Sequence, residues 1–248
     1  DADVQAIIAG TSTLSREEKR GVLHDLVVKD YNRIPYTADT TDVWDALEDL
    51  DEDPNNPDNI IGIYSLKSYP KTDHTPSGWN REHTWPKSFG IFTTGDDTSD
   101  IMALRPAQWG VNSARGNRWY ATCPESGDDV VRPGHPEAPE TAACFDGEAW
   151  EPPPSVRGNL ARNMFYMHIR YNADSDLDET MDLQLSDCPC SYASVMGRLT
   201  DILQWHLDDP VDEAEIARNT KACTNYQNNR NPFIDHPEIV NQLFEAPE

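Results

Sequence analysis

Two adjacent side chains, Glu82 and His83, are the strongest candidates for a catalytic centre in the sequence. Hydrolysis of a phosphodiester requires a base that deprotonates water, positive charge that neutralises the phosphate, and stabilisation of the leaving oxygen. Histidine suits the role of the base because its ordinary pKa is about 6.5. The Glu82 carboxylate and the Asn112 amide offer the oxygen ligands that a hard cation such as Mg²⁺ prefers, and they leave room for phosphate oxygens and water.

The meaning of this pair depends on its surroundings, because an adjacent Glu and His are also common in purely structural positions. On an extended segment the two side chains point to opposite faces, so that one can hold a metal while the other addresses water. Arg115 follows Asn112 by about one helical turn, so both can share one face of a helix. A guanidinium at that position could clamp a phosphate. The candidate catalytic residues are therefore His83 and Arg115, and the candidate metal ligands are Glu82 and Asn112.

The formal net charge of -24 is unusual for a protein that handles nucleic acid. The acidity is uneven, because residues 80–120 contain five basic and four acidic side chains, and this stretch includes the Glu-His pair. An acidic surface with few lysines is typical of proteins that work in salty water. We therefore expect an unusual salt optimum, since salt weakens contacts to phosphates but also screens the repulsion of a polyanion.

The length of 248 residues and the hydrophobic content of 37% are typical of a globular protein with a sizeable core. No apolar run is long enough to cross a bilayer, and the first residues do not resemble a signal peptide. If the protein is exported, we expect this sequence to be the mature form.

Five cysteines allow 15 arrangements of two disulfides and one thiol. The preferred pairing is Cys123 with Cys144, together with Cys223 bonded to either Cys188 or Cys190. Such bridges would suit an oxidising compartment. A zinc site at Cys188 and Cys190 is the alternative, although structural zinc sites usually space their paired cysteines more widely.

The apolar pattern predicts more helix than strand. Ser15 and Glu18 form a capping box ahead of an amphipathic run, and Pro106 suits the first turn of a helix that runs towards Ala114. The predicted helices cover residues 13–29, 106–114, 157–171, about 191–206, about 211–222 and a short stretch after 236.

Short strands are predicted close to the Glu-His pair, at residues 59–66 and within 79–105. Residues 49–58 are predicted to form an acidic loop, and residues 121–155 an irregular acidic insertion rich in proline and glycine. The sequence therefore predicts a mainly helical α+β fold in a single domain, residues 1–248.

Several motifs in the same order resemble the endonuclease I family of periplasmic and extracellular nucleases, and they cover the chain from about residue 20 to its end. The matching segments are Trp79–Gly90, Asp100 with Leu104-Arg105-Pro106, Val111–Asn117, Ala161–Met167, Trp205–Val211 and Gln227–Pro237. A series of separate motifs is far more specific than the Glu-His pair alone.

The resemblance implies a ββα-metal motif at about residues 79–117 that grips one divalent ion, Mg²⁺, or Mn²⁺ or Ca²⁺ in its place. It implies that His83 is the general base and that Glu82 and Asn112 bind the metal. Two departures stand out. Many family members place a further arginine after the Glu-His pair, but residues 91–99 contain none. Met102 and Ala103 replace the His or Asn that are usual there.

The leading hypothesis is a secreted or periplasmic endonuclease that acts as a monomer, without a membrane, on the phosphate backbone of DNA. RNA is left open as a further substrate. No base-reading helix or finger is recognisable, so we expect cleavage without sequence preference. Two alternatives are a nucleic-acid-binding pseudoenzyme and a metal-dependent phosphodiesterase that acts on small substrates.

Overall fold

A computed structural model describes residues 2–91, 95–172, 182–189 and 194–246. Its α-helices are α1 (Ala2–Ile8), α2 (Arg16–Val28), α3 (Val43–Leu50), α4 (Trp109–Arg115), α5 (Arg157–Arg170), α6 (Leu199–Asp208), α7 (Glu213–Lys221), α8 (Pro232–Asp235) and α9 (Val240–Leu243). A π-helical turn, Ala222–Gln227, continues α7. Among the described residues, no helix is both long and apolar enough to cross a membrane.

The strands are short and form several small sheets. They are β1 (Glu52–Asp53), β2 (Asn56–Ile61), β3 (Ser68–Pro70), β4 (Trp79–His83), β5 (Leu104–Gln108), β6 (Trp119–Tyr120), β7 (Ala142–Cys144), β8 (Ala149–Glu151), β9 (Gln184–Leu185) and β10 (Val195–Met196). The sheets contain β1-β2-β3, β4-β5, β6-β8-β7 and β10-β9. This mixture of helices with short strands confirms the predicted α+β class.

Capping interactions explain where two helices begin. The Ser15 side chain accepts a hydrogen bond from the Glu18 amide, and the Glu18 carboxylate accepts one from Ser15, so the predicted capping box at the start of α2 is confirmed. Asp42 and Asp45 form the same arrangement before α3, a helix that the sequence analysis missed. Its apolar positions 43, 46, 47 and 50 are buried and have the helical period, so the signal was present.

Two predicted helix starts were wrong. Pro106 lies in β5, opposite Arg81 of β4, and α4 begins only at Trp109 with Gln108 as its cap. The strand pairing therefore overrides the preference of proline for a first helical turn. The helix predicted from about residue 191 begins at Leu199, because Val195–Met196 pairs with β9.

Two predicted irregular segments contain ordered strands. The acidic loop at 49–58 holds β1 and the start of β2, which form an antiparallel hairpin. The insertion at 121–155 holds β7 and β8, which pair with each other and, through β8, with β6. The predicted disulfide between Cys123 and Cys144 is confirmed, and both of its cysteines lie in this insertion.

The other predicted disulfide is not formed, because Cys223 is a thiol that donates a hydrogen bond to the Asn228 carbonyl. Cys190, its alternative partner and half of the possible zinc pair, lies outside the described residues.

The core is centred on α5, in which every residue from Leu160 to Arg170 is buried. Tryptophans Trp79, Trp85 and Trp150 are fully buried and belong to the same hydrophobic cluster as the apolar side chains of α5. Trp79 and Trp85 flank the Glu-His pair in the sequence, so the candidate site is attached to the core on both sides.

Candidate functional site

An antiparallel hairpin followed at once by a helix carries the candidate residues. Strand β4 ends at His83, β5 returns beside it with Glu82 opposite Arg105, and α4 begins directly after β5. Glu82 and His83 therefore lie at the end of one strand, whereas Asn112 and Arg115 come from the helix. This is the ββα arrangement that the resemblance predicted for residues 79–117.

Glu82 is buried, with 3% of its surface exposed, and among the described residues one of its carboxylate oxygens accepts hydrogen bonds. Its Oε1 accepts hydrogen bonds from the Tyr64 hydroxyl at 2.7 Å and from Arg115 Nη1 at 2.8 Å. Its Oε2 accepts no hydrogen bond from the described residues. Burial raises the pKa of Glu82, while Arg115 and Tyr64 oppose that rise. The second oxygen is therefore available to a cation.

His83 is held so that one particular ring nitrogen can act as a base. Its Nε2 lies 3.0 Å from the Thr98 carbonyl oxygen, which can only accept, so Nε2 carries the hydrogen. Nδ1 is then the nitrogen with a free lone pair. Burial is the main cause that lowers the pKa of His83 to about 3; the cations Lys87, Arg81 and Arg115 add to this effect and the Thr98 hydrogen bond opposes it, so the ring is neutral at neutral pH.

Asn112 resembles Glu82 because its side-chain oxygen accepts no hydrogen bond from the described residues. Its Nδ2 donates to Asn80 Oδ1 at 2.7 Å, and both side chains are partly exposed. The orientation of the amide leaves Asn112 Oδ1 without a hydrogen-bond donor among the described residues. Asn80 was not singled out from the sequence, although it stands two residues before Glu82 in β4 and therefore shares its face.

Arg115, the predicted phosphate clamp, lies inside the protein beside Glu82. It is fully buried, and its guanidinium donates to Glu82, to the His83 carbonyl at 2.9 Å and to the Thr84 carbonyl at 2.7 Å. It also stacks 4.7 Å from the centre of the Tyr120 ring. The spacing from Asn112 predicted a shared helix face, but it could not show that the carbonyls at the end of β4 accept hydrogen bonds from Nη1 and Nη2 of Arg115.

The donor atoms at this site suit a hard cation. Glu82 Oε2 and Asn112 Oδ1 are both oxygens, which Mg²⁺ prefers, and only two protein ligands leave room for water and phosphate. Across the described ranges, no group of three or more His, Cys, Asp and Glu side chains could hold a metal ion. Glu82 and Asn112 are the residues that would hold a divalent ion here.

The unusual pair Met102 and Ala103 lies in the core and not on the surface of the site. Both side chains are buried. The Ala103 carbonyl accepts hydrogen bonds from the Thr84 amide at 2.9 Å and the Thr84 hydroxyl at 2.8 Å, which fixes the end of β4. Because a backbone carbonyl does this, the identity of the Ala103 side chain is secondary.

Residues distant in sequence complete the site. Tyr64 and Tyr120 are buried, and their hydroxyls lie 2.6 Å apart beside Glu82. The Tyr36 ring lies 5.5 Å from the His83 ring. The Tyr64 and Tyr36 positions carry no recognisable motif, so their contribution depends on tertiary packing that the sequence does not reveal.

Comparisons with known proteins agree with this geometry. The sequence matches Endonuclease I over residues 20–238. An extracellular ribonuclease of Bacillus amyloliquefaciens is 38% identical over 247 residues, which cover 98% of this chain and 79% of that protein. An extracellular ribonuclease of Bacillus subtilis (strain 168) is 37% identical over 247 residues, which cover 98% of this chain and 80% of that protein.

These matches confirm the prediction of an enzyme that hydrolyses phosphodiester bonds of nucleic acid. The two relatives are named extracellular, in agreement with the predicted secreted or periplasmic location. By the extent of the match and by the order of its motifs, the chain belongs to the Endonuclease I family.

Proposed function

We propose that this protein is a divalent-metal-dependent endonuclease that cuts both DNA and RNA without sequence preference. The observation that carries this proposal is the hydrogen bond from His83 Nε2 to the Thr98 carbonyl, which leaves Nδ1 as an unprotonated base. The unpaired oxygens of Glu82 and Asn112 support a metal site beside it. Mg²⁺ bound there would supply charge neutralisation at the phosphate and at the leaving oxygen.

The roles of the protein groups follow from their positions. His83 Nδ1 takes a proton from the attacking water, and the Thr98 carbonyl stabilises the ring as its charge develops. Glu82 and Asn112 would hold the metal, which would supply positive charge at the phosphate. Arg115 is a positioning residue, since its buried guanidinium fixes the Glu82 carboxylate and the carbonyls that follow it.

This chemistry supports activity on both kinds of nucleic acid. Water is the nucleophile in the proposed reaction, so the 2′-hydroxyl of RNA is not needed for attack on phosphorus. The two relatives are named ribonucleases, which supports RNA as one substrate. No base-reading helix or finger is recognisable in the sequence, so the protein should contact mainly the phosphates of the nucleic acid.

The test compares supercoiled plasmid with a single-stranded RNA, each incubated with the protein in Mg²⁺ or in excess EDTA. We expect both substrates to be cut in Mg²⁺, neither to be cut in EDTA, and the RNA products to lack 2′,3′-cyclic phosphate ends. Cyclic ends would overturn attack by water. Intact substrates in Mg²⁺ would favour the pseudoenzyme, and turnover of bis(p-nitrophenyl) phosphate alone would favour the small-substrate phosphodiesterase.

A further inference from the structure

Two cations beside His83 lack the acidic partners that most basic side chains of this protein have. All lysines and arginines lie within the described residues, and most form an ion pair with a carboxylate. Those without such a pair among the described residues are Lys19, Lys29, Arg81, Lys87 and Arg118. Arg81 and Lys87 flank the Glu-His pair in the sequence.

Arg81 and Lys87 approach the same aromatic ring. The Arg81 guanidinium carbon lies 3.6 Å and the Lys87 ammonium 5.2 Å from the centre of the Tyr36 ring. That ring lies 5.5 Å from the imidazole of His83. Arg81 and His83 are two residues apart in β4, so their side chains leave the strand on the same face. Both cations are therefore on the side of the hairpin that carries the base.

The two cations differ in how firmly they are held. Arg81 Nη1 donates to the Tyr36 carbonyl and to the Thr37 hydroxyl, and the guanidinium also lies 4.3 Å from the centre of the Trp44 ring. Its Nε and Nη2 have no acceptor among the described residues. The Lys87 side chain is exposed and stands on the 3₁₀ turn Lys87–Phe89. A fixed guanidinium with spare donors and an exposed ammonium are both suited to anionic oxygens.

The charge of the whole protein makes the absence of partners informative. With 44 acidic side chains against 20 basic ones, carboxylates are plentiful, yet none forms a salt bridge with either cation among the described residues. Asp42 is near enough to raise the pKa of Arg81, but it does not occupy the guanidinium donors for which a phosphate would compete. A polyanion that approaches a protein of net charge -24 needs a local region of positive potential at the point of cleavage.

We infer that Arg81 and Lys87 bind backbone phosphates of the nucleic-acid substrate on the His83 side of the site, with Lys87 contacting a phosphate next to the cleaved bond. The inference rests on the proposed function. Arg81 and Lys87 would supply positive charge at the substrate phosphates, to which the buried side chain of Arg115 is not exposed. It also accounts for the lack of an arginine in residues 91–99.

The test measures binding without cleavage, using a fluorescein-labelled oligothymidine of ten nucleotides in EDTA at a series of NaCl concentrations. Lys87→Gln is compared with Lys87→Arg and with a control, Lys19→Gln, which removes a partly exposed lysine on α2 that has no carboxylate partner among the described residues. We expect Lys87→Gln to reduce the slope of log K against log salt by about 0.7 in magnitude. Its affinity at low salt should fall about tenfold. Lys87→Arg and Lys19→Gln should both resemble the wild type.

Equal slopes for Lys87→Gln and Lys19→Gln would overturn the inference. Arg81→Gln should show the same loss of slope, and circular dichroism checks that its fold is retained, because Arg81 also packs between two rings. Failure of the wild type to cleave in Mg²⁺ would overturn the proposed function, whereas the binding slopes would still decide the role of Lys87.

Discussion

Two regions of the molecule contain a buried arginine–glutamate pair, and they use it differently. In the hairpin region, Arg115 meets only Oε1 of Glu82, and the Tyr64 hydroxyl donates to that same oxygen. In the α5 region, Arg162 donates to both oxygens of Glu215, at 2.7 and 2.6 Å. The second pair satisfies its carboxylate completely, whereas the first leaves one oxygen unused. The difference separates a structural ion pair from one that can accept a ligand.

The two regions also each bury a histidine, and the contrast is similar. Burial lowers the pKa of both His83 and His168 to about 3. His83 Nε2 has a carbonyl acceptor and the ring lies near three cations, whereas His168 lies near one, Arg20, and its Nδ1 is buried with no hydrogen-bond partner among the described residues. A lowered pKa therefore does not identify a catalytic base by itself. The proposed role of His83 rests instead on the contact of its Nε2 with the Thr98 carbonyl.

The largest expected effect comes from Glu82→Gln, which replaces one of the two carboxylate oxygens by an amide nitrogen. We expect kcat/KM on plasmid in Mg²⁺ to fall about 10³-fold, since the variant loses the charged metal ligand while keeping the shape of the side chain. The fold should persist, as judged by circular dichroism. Activity within about threefold of the wild type would remove Glu82 from the metal site.

Glu215→Gln is the matched change in the α5 region, and it should affect stability instead. Arg162 would keep its charge in a fully buried position without the carboxylate that pairs with it. We expect the free energy of unfolding to fall by about 3–5 kcal/mol in urea titrations. The kcat of the molecules that remain folded should be unchanged. A loss of kcat comparable to that of Glu82→Gln would break the distinction between the two pairs.

The sequence located the candidate residues better than it located the groups that support them. Glu82, His83 and Asn112 carry motifs, and they lie on β4 and α4 of the hairpin and helix that the resemblance implied. The phosphate contact of Arg115 stays a prediction, because spacing along a helix shows which face it shares, but not that the carbonyls of residues 83 and 84 accept its hydrogen bonds. Tyr64 and Tyr36 arrive from remote segments, which a local pattern cannot place.

The fold follows the same division between local and long-range causes. The start of α2 was predictable because its capping box is a local interaction. Pro106 was misplaced because β4, more than twenty residues earlier, pairs with its segment. The strands β7 and β8 were missed because the sequence around them is rich in proline and glycine.

His168→Phe tests whether the buried histidine of the α5 region affects the pH dependence of stability. The pKa of His168 is about 3 in the folded protein and about 6.5 in an unfolded chain. As the pH falls from about 6.5 towards 3, the unfolded chain therefore binds a proton that the folded protein excludes, and stability is lost. We expect the free energy of unfolding of His168→Phe to decline less steeply over this window in urea titrations. A decline as steep as that of the wild type would show that His168 is not a cause of the loss of stability at low pH.

The smallest expected effect concerns the Tyr64 hydroxyl, which helps Arg115 to hold Glu82 Oε1. Tyr64→Phe removes one hydrogen bond to a charged oxygen, so we expect kcat/KM to fall about fivefold, equivalent to about 1 kcal/mol. The Mg²⁺ concentration for half-maximal activity should rise, because a less constrained carboxylate holds its free oxygen less accurately. Tyr120→Phe is the control, since it removes the neighbouring hydroxyl but leaves the bond from Tyr64 to Glu82. If both variants shift the Mg²⁺ requirement equally, the hydroxyl pair acts as one unit and Tyr64 does not orient Glu82 alone.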